Sequence, residues 1–157
     1  MISMRTMLLS FKAEVYKKVL SGEKIFEHRK VFPDEPVKAY LYVSAPIKAI
    51  VGIMNLSNKT EIVSWKELYS YDKDAIKRID RYLEHHKYAM EINEFQNTNM
   101  IPLETLRKDL KRFIVPQMYY FIDDTELLSY LEKNLSPEGE KIVHDFSKVT
   151  SNMICKE

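Results

Sequence analysis

SGEKIFEHRK, Ser21 to Lys30, crowds a glycine and five charged side chains beside one histidine, at the point where a helical pattern gives way to a strand pattern. Upstream, Ala13, Tyr16, Val19 and Leu20 recur at helical spacing, Ser10 stands as a helix cap, and Gly22 falls where a helix ends on a left-handed glycine. From Ile25 the period becomes two. Ile25, Glu27, Arg29 and Val31 share one face, while Phe26, His28, Lys30 and Phe32 share the other. Charges on a face that also carries isoleucine and valine are either turned to solvent or buried together, and burial demands pairing. A Glu27–Arg29 pair in a cleft leaves guanidinium donors for a phosphate or a base edge. The residues by themselves keep both outcomes open.

Working outward, 157 residues suffice for one domain with a real core, and 45% hydrophobic against 30% charged residues is an ordinary globular balance. One cysteine, Cys155, excludes a disulfide framework within the chain and fits a reducing, cytoplasmic setting. No stretch approaches the roughly 20 apolar residues of a spanning helix, so no membrane partner is expected. The net charge of +1 hides an asymmetry. Residues 1–60 carry ten Lys/Arg against five Asp/Glu, and residues 61–157 fourteen against eighteen. The basic half holds the opening motif, a weak pointer to an anionic ligand.

Along the chain, MLLSF (Met7 to Phe11) reads as a buried strand, Pro33 to Pro36 as a turn, and VKAYLYVSAP and IKAIVGIMNL as two strands, with Gly52 at a bulge or close approach. Ser64 to Glu67 has a capping-box pattern before a short helix in which Trp65 anchors against the sheet. A further helix is expected over Lys73 to His86, a strand over Tyr88 to Phe95, a short helix from Pro102 to Leu110, and a strand in FIVPQMYYFI. Beyond Ile122, Asp123 with Glu126 suggests a cap for a helix to Leu135, and Ser136-Pro137-Glu138 opens another to Val149. The expected division is a domain over 1–122 and a helical extension over 123–157.

Several chemistries are disfavoured. His28, His85, His86 and His144 have no companion cysteines and form no H-x-x-x-H pair, so no metal is expected. Three glycines cannot build the phosphate loops of nucleotide-binding folds, and no cofactor is expected. Arg107, Lys108, Lys111 and Arg112 are spaced to lie along one side of a short helix, as a nucleic-acid backbone track or a solvated face. The tyrosines read mostly as packing residues.

The ordered set Gly22, Lys24, Glu27 and Arg29, followed by YVSAPIKAIVGIMNL, YAMEI and IPLETLRKDLKRFIVPQMYYFI with Pro116-Gln117, resembles the ASCH domain family, a branch of the PUA-like fold, over roughly residues 5 to 122. The resemblance implies an α+β architecture, a curved mixed β-barrel of ASCH type with packed helices and a cleft beside the signature strand. It implies binding of nucleic acid, RNA above all, or of nucleotides. Gly22, Lys24, Glu27, Arg29, Gln117 and Tyr119 would then be ligand-binding, with Tyr119 or Tyr120 stacking on a base. A branch of small ASCH proteins hydrolyses acetylcytidine with a lysine, a threonine and a glutamate. Lys24 matches that lysine, but Glu27 stands at the threonine position. An amidohydrolase acting on a modified nucleoside, with Lys24 and Glu27 catalytic, is thus the alternative to a binding protein. A third reading gives the C-terminal helices a homodimer or partner contact. His28 faces opposite to Glu27 and reads as structural.

Overall fold

The computed structural model describes residues 4–156. Its centre is a mixed sheet of seven strands in the order β2-β5-β4-β3-β1-β6, with β7 paired to β5. The strands are β1 (Arg5–Phe11), β2 (Phe26–Arg29), β3 (Val37–Val43), β4 (Ala49–Glu61), β5 (Tyr88–Pro102), β6 (Tyr119–Phe121) and β7 (Ile142–Val143). The helices are α1 (Ala13–Leu20), α2 (Trp65–Leu68), α3 (Lys73–Leu83), α4 (Leu103–Asp109) and α5 (Glu126–Asn134). Strands β1 and β3 run parallel, and the other strand pairs are antiparallel. The fold is therefore the α+β mixed, curled sheet that the sequence implied.

Curvature originates in the β4–β5 ribbon. Its register shifts between Ile50 and Gly52, between Asn55 and Leu56, and between Ser57 and Thr60, and each irregularity adds twist. Gly52 marks the first shift. A Cβ there would stand 2.6 Å from Phe95 Cζ and 2.8 Å from the Gln96 carbonyl oxygen, so the close approach expected from sequence is real. The sheet separates two apolar clusters. On one side Met7, Leu9, Leu41 and Phe95 pack with Tyr16 and Val19 of α1; on the other Leu8, Tyr40 and Ile50 pack with Leu106 of α4 and Leu127 and Leu131 of α5. A third cluster sets Phe26 against α2 and α3, with the Phe26 and Trp65 rings 5.2 Å apart, which gives Trp65 its anchoring role.

Several expected caps are replaced. Ser10 stays in β1 and Lys12 precedes α1. Ser64 is already helical in conformation, and its hydroxyl donates to the Glu61 carbonyl instead of accepting from α2. Asp123 accepts from the Thr6 N–H and Arg5 Nε, tying α5's approach to β1, and Thr125 accepts from Leu128 N as the cap of α5. Strand β5 runs seven residues further than Phe95, to Pro102, and only Tyr119–Phe121 of FIVPQMYYFI is strand.

The largest correction is at the C-terminal end. Among the described residues α5 is the one α-helix after residue 122, with a single 3-10 turn at Ser151–Met153; no helix forms over Glu138 to Val149. Ile142, Phe146 and Val149 have helical spacing, but Gly139 takes φ +75° inside what would be the first turn. The segment instead supplies partners to the β5 edge that β2 leaves unpaired. Thr98 bridges Pro137, Glu138 N donates to the Asn97 carbonyl (2.8 Å), β7 pairs with Glu94 and Phe95, and His144 N donates to the Asn93 carbonyl (3.1 Å). Phe146 then reaches Phe26 at 5.4 Å, and Ile154 and Cys155 are buried beside α3. The expected helical extension is thus a helix followed by an extended strap. Among the described residues no helix is long and apolar enough to cross a membrane.

Gly52→Ala tests this register. The Gln96 carbonyl is backbone and cannot move aside cheaply, so the expected loss is about 1–3 kcal/mol, a melting temperature lower by roughly 2–4 °C per kcal/mol. An unchanged melting temperature contradicts the close approach.

Candidate functional site

Edge strand β2 places the signature. Its neighbour β5 holds it through Phe26↔Glu91, Glu27↔Met90, His28↔Ala89 and Arg29↔Tyr88. The opposite edge of β2 has no strand partner among the described residues; it faces the end of β1 across a gap that a side chain spans. Arg29 Nη2 donates to the Ser10 carbonyl (2.7 Å) and to Glu27 Oε2 (3.2 Å). Glu27 Oε1 accepts from the His28 backbone N–H (2.9 Å) and lies 3.7 Å from Lys24 Nζ. Lys24 and Glu27 are 2% and 5% exposed, which decides between the two outcomes left open by the sequence: the charged face is buried and paired.

Burial opposes the ionised form of Glu27, but Arg29, Lys24 and the hydrogen bonds from His28 and Arg29 together hold its carboxyl below the usual glutamate range. His28 moves the other way for a base. Desolvation first, then the charges of Lys24 and His86, lower its pKa well below the ordinary imidazole value, so the ring is neutral. It is 4% exposed, its ring lies 4.7 Å from Tyr82 and 6.1 Å from His86, and neither ring nitrogen has a hydrogen-bond partner among the described residues.

These groups line a cleft of about 400 Å³ walled by Ser10, Phe11, Lys12, Glu14 and Val15 from the β1–α1 stretch, by Glu27, His28 and Arg29 from β2 with Lys30 just after it, and by His85, His86 and Gln117. The sequence-based candidates divide accordingly. Glu27, Arg29 and Gln117 meet in the cleft, and Lys24 stands behind Glu27. Gly22 adopts φ +81° in the turn that ends α1 and does not line the cleft. Tyr119 packs on Phe32 at 5.5 Å, away from the cleft lining. Tyr120 donates to the Ile114 carbonyl (2.6 Å), and burial pushes its pKa up to about 12. Arg107, Lys108, Lys111 and Arg112 are exposed, but α4 ends at Asp109, so the last two lie beyond the helix; Arg107 borders a separate hollow with Pro46 and Lys48. The reading of His28 as structural missed its place in the cleft wall, and His85, His86 and Lys12 were missed with it. Alternation sends His28 to the face opposite Glu27, yet on an edge strand beside the end of α3 both faces reach the same opening. Among the described residues no group of three or more His, Cys, Asp or Glu is placed to hold a metal ion.

The sequence matches no protein-family model and no curated protein. Comparison of folds is decisive where sequence is silent. The ASCH protein of Zymomonas mobilis superposes with a TM-score of 0.62 at 20% identity, over 84% of this chain and 96% of that one. A serine-to-alanine variant of that protein gives 0.65 at 20% identity, covering 84% and 97%, and a tyrosine-to-phenylalanine variant 0.61 at 19%, covering 84% and 99%. The fold is that of an ASCH domain. In this structure the cleft described above lies beside β2, walled on its other side by residues of β1 and α1.

Glu27→Gln probes the buried cluster. Removing the carboxylate that Lys24 and Arg29 share costs about 3–5 kcal/mol near neutral pH. Because the folded-state pKa of Glu27 lies below 4.5, its contribution is present above that value and is lost as pH falls through the folded pKa. The melting-temperature gap between wild type and variant therefore narrows on acidification below pH 4.5. A gap that is small at pH 7, or constant with pH, contradicts the ionised, paired carboxylate.

Proposed function

We propose that the protein binds single-stranded RNA, seating one nucleotide in the cleft beside β2. The observation that carries this reading is the pairing, in one cleft, of a guanidinium clamped by Glu27 and the Ser10 carbonyl with a neutral imidazole whose nitrogens lack partners. Arg29, with Lys12 and Lys30 at the rim, supplies positive charge for phosphate, and His28 offers one donor and one acceptor to a base edge. A cleft of about 400 Å³ suits a single nucleotide, and bases become available to such a cleft only when unstacked, as in single-stranded loops.

The hydrolase reading is less well supported by Glu27. A carboxylate held ionised, with one oxygen on a backbone N–H and the other on Arg29, is placed as a clamp and not as a proton shuttle. A homodimer through the C-terminal helices draws less support, since Leu127 and Leu131 of α5 are buried within their own chain.

The test is fluorescence anisotropy of a labelled single-stranded oligoribonucleotide at several salt concentrations, with the matching duplex as comparison. Lys12 and Lys30 are exposed, so Lys12→Ala/Lys30→Ala leaves the fold intact. It is expected to weaken binding and to reduce the slope of log K against log salt by about 0.7 for each lysine in phosphate contact. Equal affinity for the duplex, or an unchanged slope in the variant, contradicts the reading.

A further inference from the structure

On the far side of the Lys24–Glu27 contact lies a second cavity, of about 630 Å³, distinct from the cleft. Its walls are Lys18 of α1, Glu23 and Lys24 of the following turn, Arg78, Arg81 and Tyr82 of α3, and Cys155 and Lys156 of the C-terminal strap. Among the described residues it brings together five cations and one carboxylate. Those cations come from three segments far apart in sequence, residues 18–24, 78–81 and 156. Local charge patterning scatters lysines over a solvated surface, but it does not account for convergence on one concavity.

One of the five is fixed in place. Arg78 Nη2 donates to the Ser151 carbonyl (2.6 Å) and Nε to the Ile154 carbonyl (3.4 Å), so the strap that forms one wall also holds the guanidinium in register with its neighbours. The strap is itself pinned to α3, because the Ser151 hydroxyl donates to Asp72 Oδ2 (2.6 Å), the carboxylate that caps the helix. Arg81 follows three residues after Arg78, on the same side of α3, and Lys18 and Lys156 approach from the facing elements. Lys24 is already paired with Glu27 and Glu23 offsets one charge, yet the remaining excess of positive charge in a concave, partly walled space focuses its field and favours a ligand carrying more than one negative charge. Planar guanidinium donors match the oxygens of phosphate in particular.

We propose that this cavity is a second binding site, for a phosphate-bearing ligand of at least two negative charges. Two sources share that chemistry: the terminal phosphate of an RNA chain, and a free nucleotide or diphosphate. The site does not depend on the cleft being an RNA site, since its residues and the cleft's do not overlap.

Isothermal titration with inorganic pyrophosphate at fixed ionic strength tests it, using the wild type, Lys18→Ala/Arg81→Ala, and Lys77→Ala as a control for loss of an exposed α3 charge that does not line the cavity. The expected result is saturable binding by the wild type, about tenfold weaker for each cation removed from the cavity, and unchanged in Lys77→Ala. Absence of saturable binding, or equal weakening in Lys77→Ala, overturns the proposal. Lys12→Ala/Lys30→Ala, which acts on the cleft, is expected to keep full pyrophosphate affinity; parallel loss in that variant would mean diffuse charge and also overturn it. Single-stranded RNA with a 5′-phosphate, compared with the same chain ending in a 5′-hydroxyl, separates the sources. A preference for the phosphorylated chain that disappears in Lys18→Ala/Arg81→Ala assigns the site to RNA ends, and equal affinity alongside pyrophosphate binding assigns it to a free ligand.

Discussion

A carboxylate held between two cations, all largely withdrawn from water, is the constraint on which the rest of the molecule depends. Glu27 is buried ionised between Lys24 and Arg29, and its carboxylate in turn helps to hold both cations at their depth. The cluster has a geometric consequence. Arg29 reaches from β2 to the Ser10 carbonyl at the end of β1, so a side chain spans the gap where the curled sheet makes no backbone pairing. The opening left beside that bridge is the cleft. Its polarity is therefore part of the fold itself: the same guanidinium that joins the two edges lines the opening.

The sheet edge explains the remainder of the architecture. β2 is four residues long and covers β5 only from Tyr88 to Glu91. The rest of that edge would expose a row of unpaired backbone groups, a liability in any sheet. The C-terminal strap occupies it, and having crossed the edge it continues to α3, where Asp72 and Arg78 fasten it. The length of β5 thus links the signature strand to the chain's final segment, and the strap ends as a wall of the basic cavity. Two polar concavities back onto one buried salt bridge.

Much of this was legible in the residues, for identifiable reasons. The strand alternation of Ile25 to Phe32 correctly set Glu27 and Arg29 together, since period two is a property of the backbone. Gly52 signalled a close approach because only the absence of a Cβ tolerates the Gln96 carbonyl there. Misreadings arose where tertiary partners override local pattern. Glu138 to Val149 has helical apolar spacing and a good opening, yet the unpaired β5 edge and the positive φ of Gly139 win. His28 was read as structural since alternation alone cannot show that an edge strand lets both faces reach one opening. Tyr119 was read as a stacking residue because sequence gives no means of seeing Phe32, its packing partner 5.5 Å away. The basic cavity left no trace in sequence, being assembled from residues as distant as Lys18 and Lys156.

The central claim is that ligand enters between α1 and β2, at the groups the buried cluster holds in place. It is tested most directly by photo-crosslinking a single-stranded RNA that carries one photoreactive base, followed by mass-spectrometric mapping of the modified peptide. The account predicts adducts on the segments that wall the cleft, residues 10–15, 27–30 and 85–86. Adducts confined to the exposed cations of residues 107–112, with none at the cleft, would contradict it.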